Sequence, residues 1–385
     1  MKSGETPKLL EAKSVEKQSE PHRKSVNRRS FLRNTAVAGV GVVGAGMLTA
    51  PGAFAEENHR HLTRGDAALL RFAAAAEILE TDFWVQYNEL AGIQDDEVPG
   101  GSGNPAYSEA LEAIDDDMPH YIHDNTDDEF THQNFLNAYL MSKGADPVSL
   151  EQFRTLAGSK ATGTSGKLRL TNLMKLTLDT SWWTRYRSSD HNPDLDPNFV
   201  FPQAVPDLAS GQHTAIPRTD ADTADPNFLQ AIVNTALFHF PTIEQGGNSL
   251  YPSMALRASS VEVLRILISI GPTETMHFQT WSDLAGDAVP LTAVDPVTGV
   301  SVTFPDLEDA GEDLDKALIM PEPCPFLSRN LPPCSIIRPT ETKGVAMGAL
   351  KFLTSMGLFS GQSAAFFHFM AELAEQADNA RRGVS

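Results

Sequence analysis

Glu129-Phe130-Thr131-His132 and Glu274-Thr275-Met276-His277 each set a carboxylate and an imidazole three residues apart. On a helix that spacing puts both side chains on one face, so each pair can offer an oxygen and a nitrogen to one metal ion. Spacing alone is a weak signal, since Glu56-Glu57-Asn58-His59 repeats it where no packed helix is expected. Context adds two more carboxylates: Glu77 and Glu244 each lie within an apolar run. Helical phase leaves Glu80 open as the alternative to Glu77, and Gln245-Gly246-Gly247 leaves open that Glu244 stands near a helix end.

Four long helices must position these groups. Apolar residues at helical spacing predict helices over 65–90, 117–142, 226–251 and 259–284, with Asp66 as a cap for the first and Pro119 in the first turn of the second. The third is interrupted at Pro241 and the fourth at Gly271-Pro272, each within a turn of a candidate ligand, and the distortion is expected to open coordination space. Residues 143–225 form a long crossover, with helical stretches expected at Val148–Gly158 and Leu168–Arg187. Val300, Val302 and Phe304 alternate with polar residues as in a strand, and Lys343–Ala380 reads as one or two closing helices. Two helices, a long crossover and two more helices is the connectivity of a ferritin-type four-helix bundle. The expected fold is therefore mainly α: a ferritin-like domain over 56–286 and an irregular α/β C-terminal extension over 287–385.

The net charge of −20 over 385 residues conceals two unlike parts. Residues 1–55 carry nine basic and four acidic side chains, which leaves 21 basic against 46 acidic over the remainder. That acidity argues against nucleic acid and anionic membranes as partners. Asn27-Arg28-Arg29-Ser30-Phe31-Leu32-Arg33 precedes an uncharged, Gly-rich run and the triplet Ala53-Phe54-Ala55. Arg28 and Arg29 in that setting resemble a twin-arginine export signal over 1–55, with cleavage after Ala55. The run is too short for a stable membrane span, so the mature protein is expected in the periplasm or outside the cell. Cys324 and Cys334, in a Pro-rich segment, are a candidate disulfide suited to that compartment, with two separate buried thiols as the alternative.

The order Glu77, Glu129-x-x-His132, Glu244, Glu274-x-x-His277 on four helices resembles the ferritin-like superfamily of dinuclear carboxylate proteins. Within it, the long exported chain resembles the desiccation-related and stress-associated ferritin-like proteins of bacteria, plants and fungi. The segment Ala76-Glu77-Ile78-Leu79-Glu80-Thr81-Asp82-Phe83-Trp84 is similar to that family's first helix. The resemblance covers roughly 65–142 and 226–286. It implies Glu77 and Glu244 as terminal ligands, Glu129 and Glu274 as bridging carboxylates, and His132 and His277 as one imidazole for each ion. It also implies an outer support in which Asp128 hydrogen-bonds a histidine of the opposite helix, with Thr273 at the matching position of the fourth helix. Oxygen and nitrogen donors without thiolate suit iron or manganese. The implied function is oxidoreductase chemistry with dioxygen or peroxide in stress protection, acting on a small-molecule substrate. A non-catalytic stress-related or metal-sequestering protein is the alternative, and a homo-oligomer is left open.

Other residues carry weaker signals. His120 and His123 with Asp127 read as an extra metal site or, more simply, a solvated face, and His239 as a core histidine. Trp182, Trp183 and Tyr186 read as packing of the crossover, with a substrate pocket as the alternative. Ser/His/Asp triads, phosphate loops and dinucleotide fingerprints are not evident.

Overall fold

Helix α1, Arg64–Ala91, begins where the Thr63 hydroxyl accepts a hydrogen bond from the Asp66 amide at 3.0 Å. Thr63 is thus the cap that was expected of Asp66. The Asp66 carboxylate turns instead to the start of another helix, accepting from Ser259 N at 2.8 Å and Ser260 N at 3.1 Å. Nearly all of α1 is buried, as its continuous Ala/Leu/Phe composition dictates for a helix packed on every side. The computed structural model describes residues 61–98, 100–187, 198–307, 330 and 343–383, apart from the side chains of Tyr186 and Arg187. The export segment with Arg28 and Arg29, and the pair Cys324 and Cys334, lie outside the described residues.

A short helix α2, Pro105–Glu112, capped by Asn104, precedes α3, Met118–Ser142, which packs along α1. After the crossover, α5, Pro226–Ala255, packs along α6, Val261–Leu284. These are the four helices expected, within a few residues at each end. Both later helices run on through their prolines, Pro241 and Pro252 in α5 and Pro272 in α6. Gly271 lets the two approach closely: a Cβ there would lie 2.8 Å from Tyr251 Cβ.

The crossover departs from expectation. Between α3 and α5 the described residues hold a 3-10 turn at Glu151–Phe153, a single-turn helix α4, Trp182–Arg187, and two further 3-10 turns, but neither predicted helix. Leu170, Leu173, Leu176 and Leu178 are fully buried, at a spacing that mimics a helix face. Their backbone is satisfied by distant partners instead: Leu170 and Thr171 amides donate to Asp82, Leu176 to His213 O, Thr177 to Met356 O and Leu178 to Leu208 O. Trp182 packs as expected, its indole donating to Thr242 Oγ1 at 2.9 Å.

Strands β1, Leu291–Val294, and β2, Ser301–Phe304, pair antiparallel with Leu291 opposite Phe304. Val302 and Phe304 point inward, as their alternation predicted, and Phe304 stacks on Phe238 of α5. The closing segment forms α7, Val345–Ser355, and α8, Ala364–Asn379. Asp378 of α8 accepts from the Ala346 and Met347 amides at 3.0 Å, capping α7 from a neighbouring helix. Helix α8 lies against α1, so the end of the chain contributes to the surroundings of the first helix. No helix among the described residues is long and apolar enough to cross a membrane.

Candidate metal centre

Each of the four long helices sends carboxylates to one buried point. Glu77 comes from α1, Glu129 and His132 from α3, Glu244 from α5, and Glu274 and His277 from α6. The Glu129, Glu244 and Glu274 side chains are wholly buried and Glu77 nearly so. His132 Nδ1 stands 3.1 Å from Glu129 Oε2, 3.3 Å from Glu77 Oε2 and 3.4 Å from Glu274 Oε1. His277 Nδ1 stands 3.2 Å from Glu129 Oε1 and 3.3 Å from Glu244 Oε2. The ligating atoms form two groups, Glu77/Glu129/His132/Glu274 and Glu129/Glu244/Glu274/His277, and in each group they lie within 4.8 Å of one another. Glu129 and Glu274 belong to both.

All six predicted ligands therefore meet, and the alternatives resolve. Glu77 rather than Glu80 enters the groups; Glu80 stands beside them, 8% exposed, with Oε1 accepting no hydrogen bond among the described residues. Glu244 sits well inside α5. Asp128 Oδ2 lies 3.2 Å from His277 Nε2, so the expected contact to the opposite helix is made, and with a proton on Nε2 it leaves Nδ1 free to face the centre. Thr273 supplies no such support. Its short side chain turns its hydroxyl to Ser269 O of its own helix at 3.4 Å.

Three residues of the centre carried no chemical signal in the sequence. Asn125 Nδ2 donates to Glu129 Oε1 at 3.0 Å and Glu244 Oε1 at 3.2 Å, while Asn125 Oδ1 accepts from Trp281 Nε1 at 2.7 Å. The Tyr251 hydroxyl donates to Glu77 Oε1. Gly247 adjoins the centre: a Cβ would stand 2.7 Å from Glu274 Oε2, so any larger residue would displace that carboxylate. Each follows a ligand by helical periodicity, Asn125 one turn before Glu129 and Gly247 and Tyr251 one and two turns after Glu244. That periodicity was the available clue.

Electrostatics set the terms. Burial raises the carboxyls: Glu77 is pushed up to about 7, Glu244 is raised, and Glu80 and Glu274 are lifted far above the ordinary range by burial and by neighbouring carboxylates. Glu129 goes the other way, burial being outweighed by the two histidines it touches. Burial alone would depress His132, but Glu129 and Glu77 hold it up at about 12, and His277 is raised likewise by Glu244, Asp128 and Glu129. Two imidazoles cannot serve these carboxylates fully. Glu77 Oε2, Glu244 Oε2 and both oxygens of Glu274 accept no hydrogen bond in good geometry among the described residues. Orphaned buried carboxylate oxygens facing imidazole nitrogens make a donor set that fits divalent cations.

Family models, curated proteins and solved structures give no match to this chain. What the centre can do follows from its own side chains.

Other described histidines lie outside these two groups. His123 is buried rather than solvated, with Nε2 3.1 Å from Asp95 Oδ1 and Nδ1 3.6 Å from Asp124 Oδ1. With Glu97 it forms a third acidic group near the surface, and His120 is exposed. His239 is the core histidine expected: it is fully buried, lies 2.9 Å from the Tyr87 hydroxyl, and burial pushes it down to about 3.

Proposed function

We propose that the protein holds a dinuclear iron or manganese centre in a ferritin-like four-helix bundle and carries out oxidoreductase chemistry with dioxygen or peroxide. The observation that carries this reading is the sharing of Glu129 and Glu274 between two ligand groups, each with its own histidine and one further glutamate. Sharing of this kind is what two adjacent cations need, because four carboxylates then offset a charge of about +4 without four separate sites. Glu129 and Glu274 would bridge, Glu77 and Glu244 would be terminal, and His132 and His277 would each bind through Nδ1. Bound there, such ions supply a redox-active Lewis acid for an oxygen or peroxide substrate. The protein's own part is positioning. Asp128 orients His277, Asn125 ties Glu129 to Glu244, and Tyr251 anchors Glu77. The twin-arginine segment extends the reading to an exported stress-protective protein.

Metal analysis of the full-length chain tests this directly. Two equivalents of iron or manganese per chain, lost in both Glu129→Ala and Glu274→Ala, are expected; absence of stoichiometric metal overturns the assignment. Release of oxygen from peroxide, or consumption of dioxygen, by the loaded protein separates catalysis from sequestration.

A further inference from the structure

The centre has a neighbour. A cavity of about 300 Å³ lies against α1, the second half of α5 and the closing helices α7 and α8. Its walls are apolar, Phe72, Leu79, Phe83, Leu350, Phe359 and Met370 among them, and its polar lining includes Glu77 and Glu80. Glu77 is thus common to the cavity and to the metal centre. Glu80, more than nine-tenths buried, lines that space, and its Oε1 has no hydrogen-bond partner among the described residues. Two glycines, Gly246 on α5 and Gly348 on α7, line the cavity from its two sides, and a Cβ at either would meet nothing within 4 Å.

The geometry points to this cavity as the substrate pocket of the centre, shaped for a neutral apolar molecule of single-ring size that carries one hydroxyl. Size comes first. An engineered apolar cavity of about 150 Å³ already admits benzene, and ligand pockets begin at about 300 Å³. Charge comes second. Two buried acidic side chains on the wall disfavour an anionic head group, and in either protonation state they offer a hydrogen-bond partner to a hydroxyl. Placement comes third, because a molecule seated against Glu77 touches a ligand of the centre. The site rests on the dinuclear reading only for the last of these. Its walls include α7, which belongs to the closing segment rather than to the four ligand-bearing helices.

Fluorine NMR of 4-fluorophenol with the full-length protein tests the proposal, with 4-fluorobenzoate as the charged probe. Saturable binding of the phenol is expected, with the benzoate at least tenfold weaker. Gly348→Phe should fill the space from the α7 side and weaken phenol binding at least tenfold while metal content is unchanged. Leu353→Trp, also on the cavity wall, provides the same block should the first variant not fold. In protein loaded with Mn²⁺, bound 4-fluorophenol should be broadened paramagnetically, and the broadening should vanish in Gly348→Phe. Equal binding of benzoate, phenol binding that survives both substitutions, or binding to manganese-loaded protein without broadening would each overturn it. Failure of the protein to take up Mn²⁺ sinks the metal reading instead, while the binding titrations still report on the pocket.

Discussion

Besides Asp66, which caps α6, helix α1 buries four carboxylates, Glu77, Glu80, Asp82 and Glu89, and handles them in two ways. Asp82 Oδ2 accepts from the Leu170 amide, the Thr171 amide and the Thr171 hydroxyl at 2.7–2.9 Å, and Oδ1 pairs with Arg154. Glu89 Oε2 pairs with the buried Arg169 and accepts from Ser165 N at 3.0 Å. Both are answered by cationic side chains and amides of the crossover. A turn or two away, the ion pairs of Glu77 among the described residues are with a histidine, and Glu80 has none. Burying a carboxylate costs several kcal/mol unless it is matched, so the same helix shows what a structural match looks like and where one is missing. The difference marks a place that could take a cation from outside.

The contrast can be broken from either side. Arg169→Met leaves Glu89 buried without its cation and should reduce unfolding free energy by about 3–5 kcal/mol in denaturant titration, with metal stoichiometry unchanged in whatever remains folded. Glu274→Gln should do the reverse. Metal affinity should fall by more than about 100-fold, beyond what loss of an outer-shell partner causes, while the metal-free form keeps or gains stability. If Glu274→Gln destabilised the metal-free protein as Arg169→Met does, the distinction between the two kinds of carboxylate would collapse.

A finer test uses glycine. Alanine in a helix interior is favoured over glycine by about 1 kcal/mol. Gly348→Ala, with open space around it, should show that gain in thermal unfolding. Gly247→Ala pushes a methyl against Glu274 and should lose about tenfold in metal affinity, measured by chelator competition; an unchanged affinity would mean that the carboxylate has room to move.

Proton linkage gives the smallest effect. Burial holds Glu77 protonated up to about 7 against its ordinary 4.5, and neighbouring carboxylates hold His132 protonated up to about 12 against 6.5. Between those limits the folded metal-free state binds protons that the unfolded chain has released, so its stability falls as pH rises from about 5 to 9. Metal displaces those protons, so the slope should flatten or invert in loaded protein. Melting temperatures at pH 5, 7 and 9, with chelator and with Mn²⁺, measure the difference, and His239 cancels because it is common to both. Parallel curves would show that the centre does not exchange protons for metal.

The candidate ligands were legible because their chemistry and helical period coincide: Glu129 with His132, Glu274 with His277, and isolated glutamates in apolar helices. The four long helices were legible for the same reason of period. Leu170, Leu173, Leu176 and Leu178 mislead because burial at helix-like spacing can be met by an extended segment whose amides find partners elsewhere. Asn125, Gly247 and Tyr251 were silent because amides, glycines and phenols occur everywhere, and only the fold shows which of them face a carboxylate. Likewise, no pattern in 343–383 announces that α8 packs on α1 or that α7 walls a cavity beside Glu77.

The grip of Asp82 and Glu89 on the crossover has a consequence for how the molecule assembles. Half of the centre lies before Lys143 and half after Asp225, so it forms only when a loop of some 80 residues closes. Pinning that loop about a third of the way along, at 165–171, divides one long closure into two shorter ones, joined by contacts that need no metal. The order of events is thereby biased: the crossover docks on α1 first, and the ligands from α5 and α6 arrive on a scaffold already in place. Refolding should then show a metal-independent phase governed by Arg169 and Thr171, followed by a phase whose rate responds to metal.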